Sequence, residues 1–275
     1  MSFVFGERIR AAFAPPRYVA LPFSGIDIST SGVKAVRLSA GMHGLMLESY
    51  IDARLPSGAY VNGEIVEHAA VAEVLASVAS SVGISSANVS LPESKSYLFE
   101  TVVQGASKTE WITAAEQRLD ELVPLPPQET IFDIIKTGQT ENGDVRITGI
   151  GFARRIVDDI ISVFDQAKIG IEALEEETFA SSRALLPYGD ESTALIIDIG
   201  RATTKISIVS RRIPCFATTI GIGGHALTLA VQKHFGVTEV DARKIKAARG
   251  IVPAKGNADY LAAMPSTASV IRDEL

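Results

Sequence analysis

The sequence predicts an α/β protein made of two related halves, with a smaller α+β unit set into the first half. Three observations carry this reading. Short apolar strands alternate with segments of helical periodicity along the chain. The strand–turn–strand pattern that begins at Ser24 returns at Leu195. The 275 residues, 47% of them hydrophobic, suffice for about two cores at roughly 150 residues each.

Taken in order, residues 23–28, 33–39 and 45–53 read as strands, the apolar repeat over 69–82 as a helix, and 87–91 as the next strand. A less regular block follows. Residues 97–103 form a strand, 108–122 an amphipathic helix ended by Pro124, Pro126 and Pro127, and 130–136 and 145–152 two strands around a Gly-containing turn. A helix over 154–167 stopped at Gly170, a brief strand over 171–175 and a helix over 179–186 stopped by Pro187 close the first half. The second half repeats the opening strands and continues through 213–221 to helices at 226–235 and near 240–249. The expected units are an N-terminal extension (1–23), a first core (24–93 and 153–190), an inserted α+β subdomain (94–152) and a second core (191–275).

The repeat is the most informative feature. Ser24-Gly-Ile-Asp-Ile-Ser-Thr-Ser-Gly-Val-Lys34 and Leu195-Ile-Ile-Asp-Ile-Gly-Arg-Ala-Thr-Thr-Lys205 each place an apolar strand before Asp-Ile, a small or polar turn after it, and a lysine seven positions beyond the aspartate. A second strand follows each turn, so each copy is a hairpin with a carboxylate, Asp27 or Asp198, at the mouth of its turn. Turns of Gly, Ser and Thr let several backbone N–H groups converge on phosphate oxygens. A nearby carboxylate suits Mg²⁺ held through its own waters, and a lysine balances phosphate charge. A single copy is equally a strand ending in a polar turn; the pair, with matching surroundings, points to nucleotide phosphate.

Composition excludes other classes. Lys and Arg total 26 against 32 Asp and Glu, a net charge of −6, the wrong sign for a nucleic-acid coat. The lone Cys215 makes no internal disulfide, and no leader pattern opens the chain, which argues for the cytosol. Two uncharged stretches, 74–92 and 213–232, are too interrupted by Gly, Pro and polar residues to span a bilayer, so the protein reads as soluble. No Walker A, HExxH, CxxC or GxSxG motif is present, and His43, His68, His225 and His234 lack metal-ligand spacing.

The paired hairpins resemble the two phosphate loops of the actin-like ATPase superfamily, a duplicated ribonuclease H-like fold. Beyond them, Gly25 to Leu38, Leu55-Pro56, Val61-Asn-Gly-Glu-Ile65, Glu177-Thr-Phe-Ala180, Ile197-Asp-Ile-Gly200 and Ile222-Gly-Gly-His-Ala-Leu-Thr228 resemble the FtsA-like branch of that superfamily, and within it the PilM family of type IV pilus assembly proteins. The resemblance implies ATP and Mg²⁺ as ligands. Asp27 and Asp198 would stand near the metal. Ser29, Thr30 and Ser31 would form the first phosphate loop with Lys34 on phosphate, and Gly200, Ala202 and Thr203 the second. Gly223 and Gly224 would open a helix whose backbone approaches the nucleotide, and Lys246 would touch ribose or adenine. Arg243 replaces the acid that relatives carry beside that lysine, Arg201 stands where they prefer a small residue, and Ser29 where many have Gly. The second half lacks strands that the family has, so the chain reads as truncated, with Ser266 or Thr267 capping a helix barely begun at Leu275.

The resemblance further implies a cytoplasmic, nucleotide-gated adaptor bound to the short tail of PilN, an inner-membrane pilus protein. The tail would lie between the inserted subdomain and the first core, so that membrane association is peripheral and through the partner, with self-association open. The alternatives are an active ATPase and an FtsA-like filament protein. Glu175, Glu176 and Glu177 lie near where superfamily enzymes orient water, but a helix-start preference for acids explains them as well. In the extension, Phe5, Ile9 and Phe13 share one helical face beside Arg8, Arg10 and Arg17, which suits docking on a membrane surface or partner, or a loose terminus.

Overall fold

The computed structural model describes residues 23–41, 44–250, 259–260, 269–270 and 272–273; the amphipathic face expected in the extension and the cap at Ser266 or Thr267 lie outside them. The chain opens with an antiparallel meander of β1 (Phe23–Ser29), β2 (Gly32–Gly41) and β3 (Gly44–Ala53). Asn62 and Gly63, both at positive φ, then turn the small hairpin β4 (Tyr60–Val61) and β5 (Glu64–Ile65), which periodicity alone does not reveal. Helix α1 (His68–Val82) leads to β6 (Ser86–Leu91), parallel to β1. The chain leaves this sheet at β6 and returns at β10 (Gly170–Glu176), parallel to β6, giving the order β10-β6-β1-β2-β3.

The sheet's core side follows from strand alternation. In β1, Ser24, Ile26 and Ile28 are buried, so Gly25 and Asp27 fall on the opposite face. Beneath the buried residues pack α1, through Val71, Leu75 and Val78, and α4 (Arg154–Ala167), through Ile160, Val163 and Phe164. Helix α4 ends at Lys168, which takes the left-handed conformation at φ 58°, and Gly170, expected as the stop, already begins β10.

Between β6 and β10 the chain builds a second sheet, β7 (Ser96–Val103), β8 (Thr130–Gln139) and β9 (Val145–Ala153), antiparallel in the order β7-β9-β8. Its own core holds Phe99, Leu119, Ile134 and Ile147. Gly149 lies under the Phe99 ring, where an added Cβ would stand 2.1 Å from the ring. The single helix expected over 108–122 is two, α2 (Lys108–Glu116) and α3 (Leu119–Leu122). Arg118 leaves helical geometry at φ −121°, ψ 15°, and its guanidinium bonds Glu121 and Thr101.

Helix α5 (Glu177–Leu185) connects the first sheet to a third, β11 (Thr193–Ile199), β12 (Thr204–Ser210) and β13 (Ile213–Ile220), antiparallel throughout. Helices α6 (Gly224–Phe235) and α7 (Glu239–Arg249) follow, and Val231 and Ala242 form a small core with Tyr260. The repeated sequence is thus a repeated hairpin: Asp27 faces Lys34 across β1–β2, and Asp198 faces Lys205 across β11–β12.

Phe164 is fully buried between α4 and the first sheet. Phe164→Ala is expected to cost about 3–5 kcal/mol in urea unfolding, because it removes transfer energy and leaves a cavity in a core joined by two helices.

Candidate functional site

The two hairpins meet at a cavity of about 370 Å³. The first contributes Asp27, Ser29, Thr30, Ser31 and Lys34; the second contributes Asp198, Gly200, Arg201, Thr203 and Lys205. Ser90 at the end of β6 and Glu177 at the start of α5 complete the polar wall. Ser31, Gly200 and Arg201 also border a neighbouring chamber of about 520 Å³, whose lining includes Arg54, Gly224, Arg243 and Lys246. Behind the loops a further cavity, about 530 Å³, takes in Ala202, Asn62, Gly63, Glu93 and Thr219. One cleft system therefore gathers the marked residues of both hairpin loops, together with Gly224.

The loops differ in build. In the first, Ser29 pairs with Gly32, leaving Thr30 and Ser31 as a two-residue turn, and the Ser29 hydroxyl bonds Ser31 Oγ at 2.8 Å. Gly32 holds φ 143°, and a Cβ there would stand 2.1 Å from the Ala53 carbonyl oxygen, so only glycine fits. The second loop spans Gly200 to Thr203 and closes with Gly200 N–H donating to the Thr203 carbonyl at 2.9 Å.

The Gly223-Gly224 turn is anchored to the second loop. The N–H groups of Gly224 and His225 donate to the carbonyls of Gly200 and Arg201, both at 2.8 Å. The first amides of α6 are spent on the second loop instead of pointing into open space. A Cβ at residue 223 would stand 2.6 Å from the Gly200 carbonyl oxygen, which explains the glycine. Lys246 lines the chamber as expected, with its ammonium on the Gly224 carbonyl; Arg243, one turn away, pairs with Glu239 at 2.7 Å. Burial, reinforced by Arg243, pulls the Lys246 ammonium below its usual range.

Several residues that the motifs did not mark hold the cleft in shape. Ser90 donates to Asp27 Oδ1 at 2.5 Å. Lys205 pairs with Glu177 at 2.5 Å. Tyr60 is buried beneath the first loop, and burial, aided by Glu177 and Asp27, raises its hydroxyl well above the phenol range. Glu176 caps α5, accepting from Thr178 Oγ1 at 2.8 Å and from the Phe179 N–H at 3.2 Å. The repeat itself contained the signal for Lys205, whereas the acidic run at 175–177 gave no way to tell its three members apart.

Formal charge in the smaller cavity balances, with Asp27, Asp198 and Glu177 against Lys34, Lys205 and Arg201. Among the described residues no three His, Cys, Asp or Glu side chains converge as a metal-binding group. A divalent cation here would thus need ligands beyond the two aspartates, which suits a cation arriving with its waters and a phosphate chain.

Two duplicated hairpins facing each other across a cleft, each on its own sheet and joined by a helix, define the chain as an actin-like ATPase fold. The family described as "Type IV pilus assembly protein PilM" matches residues 25–268, and the chain belongs to that family. Among solved structures, the "PilM-PilN type IV pilus biogenesis complex" is similar over 94% of this chain and 77% of that one, at 18% identity and a TM-score of 0.73. The ethanolamine utilization protein EutJ from Carboxydothermus hydrogenoformans aligns over 94% of this chain and 69% of its own, at 14% identity and a TM-score of 0.53. MreB5 of Spiroplasma citri bound to ADP aligns over 92% of this chain and 78% of its own, at 13% identity and a TM-score of 0.51. Among the described residues no helix is long and apolar enough to cross a membrane.

Glu176 supplies a pH prediction. Burial raises its carboxyl from 4.5 to about 7, the hydrogen bonds from Thr178 and Phe179 offsetting only part of the effect. A raised carboxyl favours the protonated folded state, so this contribution is complete below about pH 4.5 and is lost as pH rises through 7. Glu176→Gln is expected to match the parent near pH 4 and to exceed it at pH 8 by on the order of 3 kcal/mol in denaturant unfolding at the two pH values.

Proposed function

We propose that this protein is an ATP- and Mg²⁺-binding adaptor of type IV pilus assembly, docked on the tail of a PilN-like inner-membrane protein, whose nucleotide state sets the angle between its two cores. The observation that carries the reading is the convergence of both hairpins, with Asp27, Lys34, Asp198 and Lys205, on one cleft. Family membership and the likeness to a PilM-PilN complex support the pilus role and the partner. The ADP-bound MreB5 structure, of the same fold, supports the nucleotide.

In this reading Ser29, Thr30, Ser31, Gly200, Ala202 and Thr203 cradle the phosphates through backbone N–H groups and hydroxyls, while Lys34 balances their charge. Asp27 and Asp198 hold Mg²⁺ through water. Bound Mg²⁺ would neutralise phosphate charge and fix the chain of oxygens between the loops. The nucleoside would occupy the neighbouring chamber beside Gly223, Gly224 and Lys246. An adaptor fits better than an enzyme of rapid turnover because Glu177, the carboxylate of the smaller cavity apart from the two aspartates, is paired with Lys205 and bonded to the Glu93 N–H.

The inserted subdomain, proposed as residues 94–152, offers the docking surface. In its sheet β7 and β8 are both edges, with Val102 and Ile135 exposed, a setting in which an extended tail pairs through backbone hydrogen bonds and side-chain pockets. The protein would then lie at the inner face of the cytoplasmic membrane, held there by its partner.

Mg·ATP at 100 times Kd is expected to stabilise the fold by about 2.7 kcal/mol, a melting shift of roughly 5–10 °C. Asp27→Ala and Asp198→Ala should each abolish the shift; a parent protein that shows none at millimolar Mg·ATP ends the nucleotide reading. Titration with a synthetic PilN-like tail peptide tests docking separately, and no binding by the folded protein ends that part.

A further inference from the structure

One ion pair in the cleft links it to the root of the inserted subdomain. Lys205 stands to Asp198 as Lys34 stands to Asp27, directly across the hairpin, so the repeat supplies a second lysine at the phosphate cavity. Its ammonium, however, is held 2.5 Å from Glu177 Oε2, with the two side chains only 26% and 18% exposed. The other Glu177 oxygen accepts the Glu93 backbone N–H at 2.6 Å. The Glu93 carboxylate in turn accepts from the Thr219 hydroxyl on β13. Glu93 opens a 3-10 turn, Glu93–Lys95, and the next residue, Ser96, begins β7.

A half-buried lysine keeps a carboxylate partner until a stronger anion is offered, because leaving either charge alone in a dry site is costly. A terminal phosphate, with more charge and three acceptor oxygens, is such an anion. Once Lys205 turns to phosphate, Glu177 has lost its counter-charge. Burial already pushes its carboxyl upward, so the uncompensated anion takes up a proton or turns outward. Either outcome weakens its charge-assisted bond to the Glu93 N–H.

We infer that Lys205 is a second phosphate-binding lysine whose place is held by Glu177, and that its transfer to a nucleotide phosphate frees the Glu93 turn from which the inserted subdomain springs. This rests on the nucleotide reading above and adds to it a residue on the phosphate and a physical route to the docking surface.

The test measures hydrogen exchange of the Glu93–Ser96 amides together with Mg·ATP affinity in the full chain. In the parent protein, saturating Mg·ATP is expected to speed exchange at the Glu93 amide about fivefold, the low end of common allosteric couplings. Lys205→Met should weaken Mg·ATP binding about tenfold, as loss of a charge-assisted bond does, and should speed Glu93 exchange without nucleotide. Glu177→Gln keeps a carbonyl-type acceptor for the Glu93 N–H but offers Lys205 no charge; it should bind Mg·ATP more tightly, with Glu93 exchange no longer answering to it. Bound Mg·ATP with unchanged exchange at Glu93 in the parent, or unchanged Mg·ATP affinity in folded Lys205→Met, overturns the latch and leaves the nucleotide reading standing. Failure of the parent to bind Mg·ATP at all overturns both.

Discussion

The antiparallel register of β1 on β2 sets most of what the cleft contains. Because side chains alternate with a period of two, burying Ile26 and Ile28 under α1 and α4 forces Asp27 to the other face, opposite Lys34. A slip of one residue would exchange the two sets and place the carboxylate in the core. On β12 the neighbours Ile206 and Lys205 fall on opposite faces, Ile206 buried and Lys205 at the cavity. Hydrophobic burial beneath the first sheet thus determines which of its polar groups reach the cleft.

A second cluster ties the first core to the inserted sheet. Glu64, placed by the Asn62-Gly63 turn, receives Arg155 from α4 in a two-pronged contact at 2.8 and 2.9 Å and Lys95 from the turn before β7 at 2.5 Å. These cations hold its carboxyl down at about 2. One small hairpin therefore braces the incoming and outgoing ends of the inserted unit. The Asn-Gly-Glu-Ile segment serves as a structural junction close to the cleft, since Asn62 and Gly63 also line the cavity behind the loops.

Most elements were legible because their signals are local. Alternation marks β1 and β2, the 154–167 repeat fixes α4, and the duplicated Asp-Lys spacing predicts two matching hairpins. What escaped depends on contacts distant in sequence. Nothing near Glu177 announces that Glu93 and Lys205 will be its partners, 84 and 28 residues away. Likewise the Gly223-Gly224 turn reads as an open anion site until Gly200 and Arg201 are seen to occupy its amides. The end of α4 falls where the repeat puts it, but the residue that stops it is Lys168, which accepts a left-handed conformation that glycine adopts at less cost, and not Gly170.

The pairing of Ser96 with Phe152 at the base of the inserted sheet bears on how the chain folds. Strand β10 must find β6 across roughly 80 intervening residues, a long closure for a parallel pair. Once β7 and β9 zip together, the ends of the insert lie one strand apart, and the remaining loop is only about 20 residues. On a logarithmic dependence of closure entropy, that shortcut lowers the cost of joining β6 to β10 by about 1 kcal/mol. The insert thereby serves the core that surrounds it as a clasp during folding: its early assembly hastens the search that completes the parent sheet.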